Sequence, residues 1–385
     1  MSNPTAAIAG IGATPYYFRG ESAPQTKYEL IGKAILAAVA DAGLGVSDVD
    51  GLAFYAGGFE PGLLTEMLGI PSLNFAATVS GQGGGSAGIL DLAAMAIGSG
   101  RAKAVVCVGA AQQSHVRYGV AFTGMALTPD SVFARAAGLA GPGQAFALAA
   151  RRHMHLYGTR RDAFAEVVIA SRLAAATRET AFRRKPLSID EYMAAPMLAD
   201  PLCRLDFCLE TDGAVAFVIT SAERARDLPH RPVYIAASAH GGTREWGRAF
   251  FSMMMPEPVF TSAGGEAIAQ RLYEQAGIGP HDIDVALIYD HFSPLVIMQL
   301  EDYGFCARGE GGPFVESGAI RLDGSIPVNP HGGHLSEAYV IGMTHIREAV
   351  EQLRGSAVNQ IADARFALVT GGPAPVPMSG AILRN

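Results

Sequence analysis

Two tyrosines and a group of histidines carry most of the proton-transfer chemistry that this sequence offers. Residues Asn329 to His345 read NPHGGHLSEAYVIGMTH, which sets His331 and His334 around the glycine pair Gly332 and Gly333, followed by Tyr339 and His345. A second stretch, Ile288 to Pro294, reads IYDHFSP and supplies Tyr289, Asp290 and His291. Adjacent glycines allow backbone N–H groups to approach a ligand closely. A tyrosine, with a reference pKa of ~10, serves in proton transfer to an alkoxide-like oxygen when neighbours lower or relay its proton. His291, His331 and His334 are the candidate neighbours, and Asp290 is a candidate orienting carboxylate. His345, six residues beyond Tyr339 on a predicted helix, is expected to point elsewhere and to be structural.

These residues fall at the ends of predicted elements, where sites in layered α/β folds lie. Ala6 to Ile11 reads as a buried strand, and Lys27 to Ala42 has helical spacing closed by Gly43. The segment AGLGVSDVD then leads into an apolar strand, Gly51 to Tyr55. Much later, AGIGPHDID leads into Val285 to Tyr289. The two align without a gap at an offset of 234, pairing Ala42 with Ala276, Asp48 with Asp282, Asp50 with Asp284 and Tyr55 with Tyr289. A match of this length in one context indicates an internal repeat of a supersecondary unit. It also cautions against Tyr289, because Tyr55 shares the context without evident chemistry.

The repeat extends more loosely. Gly81 to Gly100 is a glycine-rich turn feeding an apolar helix, followed by the apolar strand Ala104 to Gly109; Gly332 to Gly355 and Arg365 to Gly371 play the same parts. Strands apolar on both faces require helices on each side of a sheet. The expectation is a layered α/β sandwich of two duplicated βαβαβ halves, residues 1–225 and 226–385, with a helical insertion at about 117–202. That insertion carries Arg151, Arg152, Arg160, Arg161, Arg183, Arg184 and Lys185. They are either solvated helix faces or a rim of cations for the phosphates of a nucleotide-bearing substrate.

Composition narrows the class. Hydrophobic residues make up 49% of the 385, charged residues 17%, and there are 46 glycines, as in a densely packed α/β enzyme. A net charge of −7 argues against nucleic acid as a partner. No apolar run reaches the ~18–20 residues of a membrane helix. The N-terminus lacks the charged region and apolar core of a signal peptide, so a cytoplasmic location is expected. Cys107, Cys203, Cys208 and Cys306 have no metal-ligand spacing and read as buried fillers.

The duplicated halves, the cationic insertion, the Asp212-Gly213-Ala214 turn before a strand, and NPHGGH together resemble the thiolase superfamily, specifically its sterol-carrier-protein type, over essentially the whole chain. This resemblance implies a thiolase-like layered αβαβα sandwich. It also locates the family's motifs, and each catalytic position departs from them. The nucleophilic cysteine at the start of the first glycine-rich helix is matched by Gly83, preceded by Gln82. The second cysteine is matched by Val369 or its neighbour in Leu368-Val369-Thr370-Gly371-Gly372. The Asn-Glu-Ala-Phe or His-Asp-Cys-Phe motif becomes Tyr289-Asp290-His291-Phe292, and the histidine of Gly-His-Pro becomes Tyr339.

Acyl-enzyme chemistry requires an activated nucleophile, and none stands here. The resemblance leaves an oxyanion hole of backbone N–H groups at Gly83, Gly84 and Gly85 and at Gly371 and Gly372, with Gly332 and Gly333 as further substrate-binding glycines. Such a hole stabilises an enolate as readily as a tetrahedral intermediate, which suits retro-aldol cleavage of a β-hydroxyacyl-CoA. The substitutions resemble those of thiolase-superfamily aldolases that cleave the side chain of steroid CoA thioesters, releasing a ketosteroid and propionyl-CoA. That likeness implies Tyr289 and Tyr339 as catalytic residues supported by His291 and His331, a CoA thioester as substrate, and no cofactor or metal on this chain. It further implies a homodimer and a small partner with a zinc ribbon and an OB-fold. A non-catalytic lipid- or acyl-CoA-binding homologue and a degenerate acyltransferase remain the alternatives. Because no thiol occupies a nucleophile position, activity is expected to survive alkylation of all four cysteines, checked by turnover after mild alkylation of the folded protein.

Overall fold

The computed structural model describes residues 4–55, 59–79, 82–113, 129–139, 141–242, 261–262, 264–372 and 377–385. Gly81 and residues 117–128 of the expected insertion lie outside the described residues. The first half supplies strands β1 (Ala6–Ala13), β2 (Tyr17–Phe18), β3 (Gly51–Tyr55), β4 (Phe75–Val79), β5 (Ala104–Ala111), and, after the hairpin β6 (Met197–Ala199) and β7 (Leu202–Cys203), β8 (Thr211–Ser221). The second half supplies β9 (Val233–Gly241), β10 (Val285–Leu287), β11 (Phe366–Thr370) and β12 (Met378–Arg384). Helices before the insertion are α1 (Lys27–Asp41), α2 (Pro61–Leu68) and α3 (Gly88–Gly98). Those within it are α4 (Pro129–Ala136), α5 (Pro142–Tyr157), α6 (Arg161–Ala175) and α7 (Ile189–Met193). They are followed by α8 (Ala222–Ala225), α9 (Glu266–Ala276), α10 (Ser293–Asp302), α11 (Gly311–Glu316), α12 (Gly333–Ser336) and α13 (Met343–Arg354).

Apart from β2, which pairs with β8, the main sheet runs β10-β11-β12-β9-β1-β8-β5-β3-β4. Read outward from the β9–β1 junction, each wing repeats one order: β9, β12, β11, β10 on one side and β1, β8, β5, β3 on the other. Along β8 the side chains alternate, as a pleat demands. Val215, Phe217 and Ile219 join the core around α3 and α13, whereas Ala214, Ala216 and Val218 join the core under α1. In the other wing, Val369 packs toward α13 and Leu368 toward α9. Helices α3 and α13 each touch both wings, α1 covers the first wing and α9 the second. The result is a layered mixed α/β sandwich with two helices in its middle layer.

The repeat is visible at the level of single hydrogen bonds. Asp48 Oδ2 accepts the Gly45 N–H at 2.9 Å, and Asp282 Oδ2 accepts the Gly279 N–H at 2.8 Å. Asp50 accepts the N–H groups of Lys103 and Ala104, and Asp284 those of Arg365 and Phe366. Each aspartate thus ties the strand leading to a tyrosine to the start of its neighbouring strand, a bond pattern worth keeping in both copies because strand register sets which face each side chain takes.

The insertion is fastened to the Tyr339 segment by an inward-facing arginine. Arg178, 3% exposed, donates to Glu337 and Glu348 at 2.9 Å each. Backbone bonds from Phe182 N–H to Glu337 O and from Arg183 N–H to Ser336 O, and Ser171 Oγ to Gly332 O at 2.6 Å, complete the attachment. Several surface cations of the insertion are paired with acids: Arg151 with Asp200, Arg160 with Asp162 and Lys185 with Glu191. Asp284→Ala leaves two backbone N–H groups of β11 and its approach without their acceptor. It is expected to lower the unfolding free energy by about 1–3 kcal/mol, read from the shift of the denaturant midpoint, with Asp50→Ala giving a loss of similar size.

Candidate active site

Tyr289 stands two residues past the end of β10, and Tyr339 lies on the turn between α12 and α13. Their hydroxyl oxygens are 3.0 Å apart, the rings nearly perpendicular at 89°, and both residues are buried. Each backbone is clasped by a threonine at the end of a central strand. The Tyr339 N–H donates to Thr211 Oγ1 at 2.9 Å, and that hydroxyl donates back to the Tyr339 carbonyl at 2.9 Å. The Tyr289 N–H donates to Thr370 Oγ1 at 3.0 Å, Thr370 donates to Gln299 Oε1, and Gln299 Nε2 donates to the Tyr289 carbonyl at 2.8 Å. Thr211 and Thr370 stand inside segments whose sequence was already distinctive, next to Asp212-Gly213 and Gly371-Gly372. Gln299 is carried on α10 with no motif to mark it.

Beside the tyrosines, Asp290 is buried and fully engaged. Its Oδ1 accepts the His334 backbone N–H at 2.9 Å and its Oδ2 that of Leu335 at 3.2 Å, so it satisfies the first turn of α12. The same Oδ1 lies 3.1 Å from His345 Nε2 and 3.4 Å from His334 Nδ1. His345 Nε2 is also 2.9 Å from the Ile288 carbonyl, which can only accept, so this nitrogen carries a proton. His334 Nε2 accepts the Gly342 N–H at 3.1 Å, which leaves the proton of the neutral ring on Nδ1, a nitrogen with no hydrogen-bond partner among the described residues. Asp290, His334 and His345 have the chemistry of metal ligands and their donor atoms lie within 4.8 Å of one another. In these tautomers, however, the nitrogens nearest the carboxylate carry protons, not lone pairs. The His345 N–H is spent on the Ile288 carbonyl, and His334 Nδ1 lies near Asp290 without a hydrogen bond to it. The trio is a packed cluster whose carboxylate is held by the backbone N–H groups of His334 and Leu335.

His345 therefore belongs to the site, against the expectation that it points elsewhere. The helix does not run on from Tyr339: Ile341 and Gly342 take φ of 45° and 86°, and α13 starts only at Met343. Angular counting from Tyr339 fails across that break, and the His345 ring stacks on Tyr289 at 6.2 Å and packs at a tilt of 53° against His334 at 4.2 Å. His291 packs its ring 5.2 Å from Tyr289 and 4.7 Å from Phe146. His331 is one ring further out, edge-on to His345 at 4.8 Å, with both ring nitrogens unpartnered among the described residues.

The glycines act differently from the sequence expectation. The N–H groups of Gly332, Gly371 and Gly372 donate to Asn329 O, Ser379 O and Gly83 O at 2.8, 2.8 and 2.7 Å, so none of the three is free for a ligand. Their role is steric. A Cβ on Gly333 would lie 2.1 Å from Asp290 Oδ2, one on Gly371 would lie 2.4 Å from the Gly84 carbonyl oxygen, and one on Gly372 would lie 2.9 Å from Gly83 Cα. At Gly83, where a thiolase carries its nucleophile, a Cβ would stand 2.9 Å from the Tyr289 hydroxyl. The tyrosine occupies the space that a thiol would need.

Burial keeps the imidazoles of His291, His331 and His334 uncharged. His291 is lowered to about 3 by loss of hydration, and His331 and His334 fall well below the ordinary value, first through burial and then through the neighbouring His345. None of these three is a cationic acid near neutrality, which leaves the phenols as the groups in direct contact able to pass protons. In the unfolded chain these histidines bind protons below pH ~6.5, whereas the folded protein refuses them until far lower pH. Their contribution to stability is thus fully present above pH ~6.5 and is lost as pH falls below it. Replacing His291 with Phe, which keeps a ring in place, should shrink the loss in unfolding free energy between pH 7 and pH 5 by about 2 kcal/mol, measured by denaturant titration at both pH values.

Residues 248–381 match the family described as thiolase C-terminal domain-like. The chain is 40% identical over 390 residues to a steroid side-chain-cleaving aldolase of Thermomonospora curvata, covering 98% of this chain and 97% of the relative. It is 40% identical over 391 residues to the 17-hydroxy-3-oxo-4-pregnene-20-carboxyl-CoA lyase of Mycobacterium tuberculosis, covering 100% of each. Among solved structures, an Ltp2-ChsH2(DUF35) aldolase superposes with a TM-score of 0.92 at 38% identity, over 99% of this chain and 98% of that one. With such identity along its whole length and tyrosines at two positions where thiolases carry a polar side chain and a histidine, the chain belongs to the thiolase superfamily, in the family of steroid side-chain-cleaving aldolases.

Proposed function

We propose that this protein is a carbon–carbon lyase that cleaves a β-hydroxyacyl-CoA thioester by a retro-aldol reaction, its substrate a steroid side-chain CoA ester and its products a ketosteroid and propionyl-CoA. The observation that carries the mechanism is the buried 3.0 Å contact between the Tyr289 and Tyr339 hydroxyls, in a site whose nucleophile position is glycine. The contact supports a relay that needs no net proton from outside. The substrate's β-hydroxyl gives its proton to Tyr339 Oη as the Cα–Cβ bond breaks; the oxygen on Cβ becomes the ketone carbonyl, and the bonding electrons form the enolate of the released acyl-CoA. The proton leaving Tyr339 crosses to Tyr289 Oη, and the proton of Tyr289 goes to the enolate carbon. Both phenols end as they began.

His334 and His345 flank the Tyr289 ring beside Asp290, and His291 lines the same ring. A homodimer and a small zinc-ribbon and OB-fold partner are the assembly we propose; the solved relative, whose name pairs an Ltp2 aldolase with ChsH2(DUF35), supports a second protein. No helix among the described residues is long and apolar enough to cross a membrane, and we place the enzyme in the cytoplasm.

Removing only the hydroxyls tests the relay. Tyr339→Phe and Tyr289→Phe keep the ring packing and are expected to lower kcat on a competent β-hydroxyacyl-CoA by ~10²–10⁴-fold, with melting temperatures close to wild type. The assay follows the ketone and the shorter CoA ester together. Near-normal kcat in both variants would sink the tyrosine mechanism.

A further inference from the structure

Breaking the Cα–Cβ bond puts negative charge on the thioester oxygen, and a site of this kind must aim hydrogen-bond donors at it. Two of the N–H groups expected from sequence to do so, those of Gly371 and Gly372, are committed to Ser379 O and Gly83 O. We propose that the hydroxyl of Ser86 is a catalytic donor to this oxygen, acting with the N-terminal end of α3; the role rests on the retro-aldol reading above.

Ser86 is completely buried, and its Oγ has no hydrogen-bond partner among the described residues. Other hydroxyls around the site are engaged: Thr211 with Tyr339, Thr370 with Gln299, Ser379 with the Gly84 carbonyl. A buried hydroxyl without a partner lowers stability, so its presence calls for a partner that arrives with the substrate. Ser86 is not a helix cap either. The residue at that position is Ala87, with no side-chain bond to the helix.

Its location fits the task. A Cβ built on Gly342 would stand 2.8 Å from Ser86 Oγ and 2.9 Å from Tyr289 Cε2, so the serine hydroxyl and the tyrosine ring face the same bare glycine. Three residues earlier, Gly83 abuts the Tyr289 hydroxyl. Ser86 is separated from the first residue of α3 by the cap residue Ala87 alone, and α3 is an eleven-residue helix whose positive end favours developing negative charge. The work is thereby divided. The tyrosine pair moves protons, and Ser86 with the α3 terminus holds the charge that appears on oxygen while they move.

The test compares wild type with Ser86→Ala in the full-length protein by three measurements: exchange of the α-protons of propionyl-CoA with D2O followed by NMR, affinity for propionyl-CoA, and thermal melting. Exchange passes through the enolate but needs no steroid ketone. The expected result is exchange slowed by ~10²–10³-fold, the size of one lost oxyanion donor, with affinity within about threefold and a melting temperature unchanged or raised, as removal of an unsatisfied hydroxyl allows. Exchange within about threefold of wild type would overturn the assignment, as would a loss of exchange accompanied by a fall in melting temperature, which marks a structural role. A wild type that binds propionyl-CoA without exchanging its α-protons would instead overturn the retro-aldol reading itself, and the role of Ser86 with it.

Discussion

The buried carboxylate of Asp290 is the interaction on which the arrangement of the site depends. It connects three pieces of chain that are remote in sequence: the end of β10, the first turn of α12 and the start of α13. A carboxyl group in so dry a place is tolerable only if hydrogen bonds satisfy it. The backbone N–H groups of His334 and Leu335 donate to its two oxygens, with the rings of His334 and His345 packed beside it. The Gly342 N–H and the Ile288 carbonyl fix the tautomers of His334 and His345, whose rings lie against Tyr289. Gly333 belongs to the same constraint, because any side chain there would collide with the carboxylate. The NPHGGH segment, read from sequence as a ligand-facing loop, is in fact shaped around an aspartate.

Sterics explain how a thiolase architecture can host a different chemistry. The glycine turns at residues 83–84 and 371–372 cross backbone against backbone, and the Tyr289 ring abuts both Gly83 and Gly372. A nucleophile at position 83 and a phenol at position 289 are mutually exclusive in this packing. Loss of the first and gain of the second read as one structural change. The threonine clasps on Tyr289 and Tyr339 then fix the two backbones to different wings of the sheet, so that the hydroxyls meet at hydrogen-bonding distance without depending on flexible loops.

Charge is partitioned across the layers of the sandwich. Around the tyrosines the imidazoles of His291, His331 and His334 are kept neutral by burial. Behind them, Arg178, Glu337 and Glu348 form a compact ion network, in which burial, opposed by Arg178, raises the Glu348 carboxyl to about 7. This network ties the inserted helices to the turn that carries Tyr339, so the insertion supports the site through its inward-facing arginine, while several of its surface cations are matched to local acids.

The sequence by itself determined the layered α/β plan, the duplicated units at an offset of 234, the loss of both thiolase cysteines and the two tyrosines. Those features are local: periodicity, turn chemistry and motif identity survive in one dimension, and the aspartates at 48, 50, 282 and 284 do the same work in both copies because each acts within its own unit. Only the tertiary structure decided which groups meet. It brought His345 into the site through a backbone reversal at Ile341 and Gly342 that helical counting does not register, and it moved His331 one ring outward. It also withdrew the N–H groups of Gly332, Gly371 and Gly372, since their acceptors, Asn329, Ser379 and Gly83, reach them through turns and strand crossings. Ser86 and Gln299 stood out only once their surroundings were in place, because whether a hydroxyl is satisfied or a carbonyl is held is a property of the packed neighbours and not of the residue.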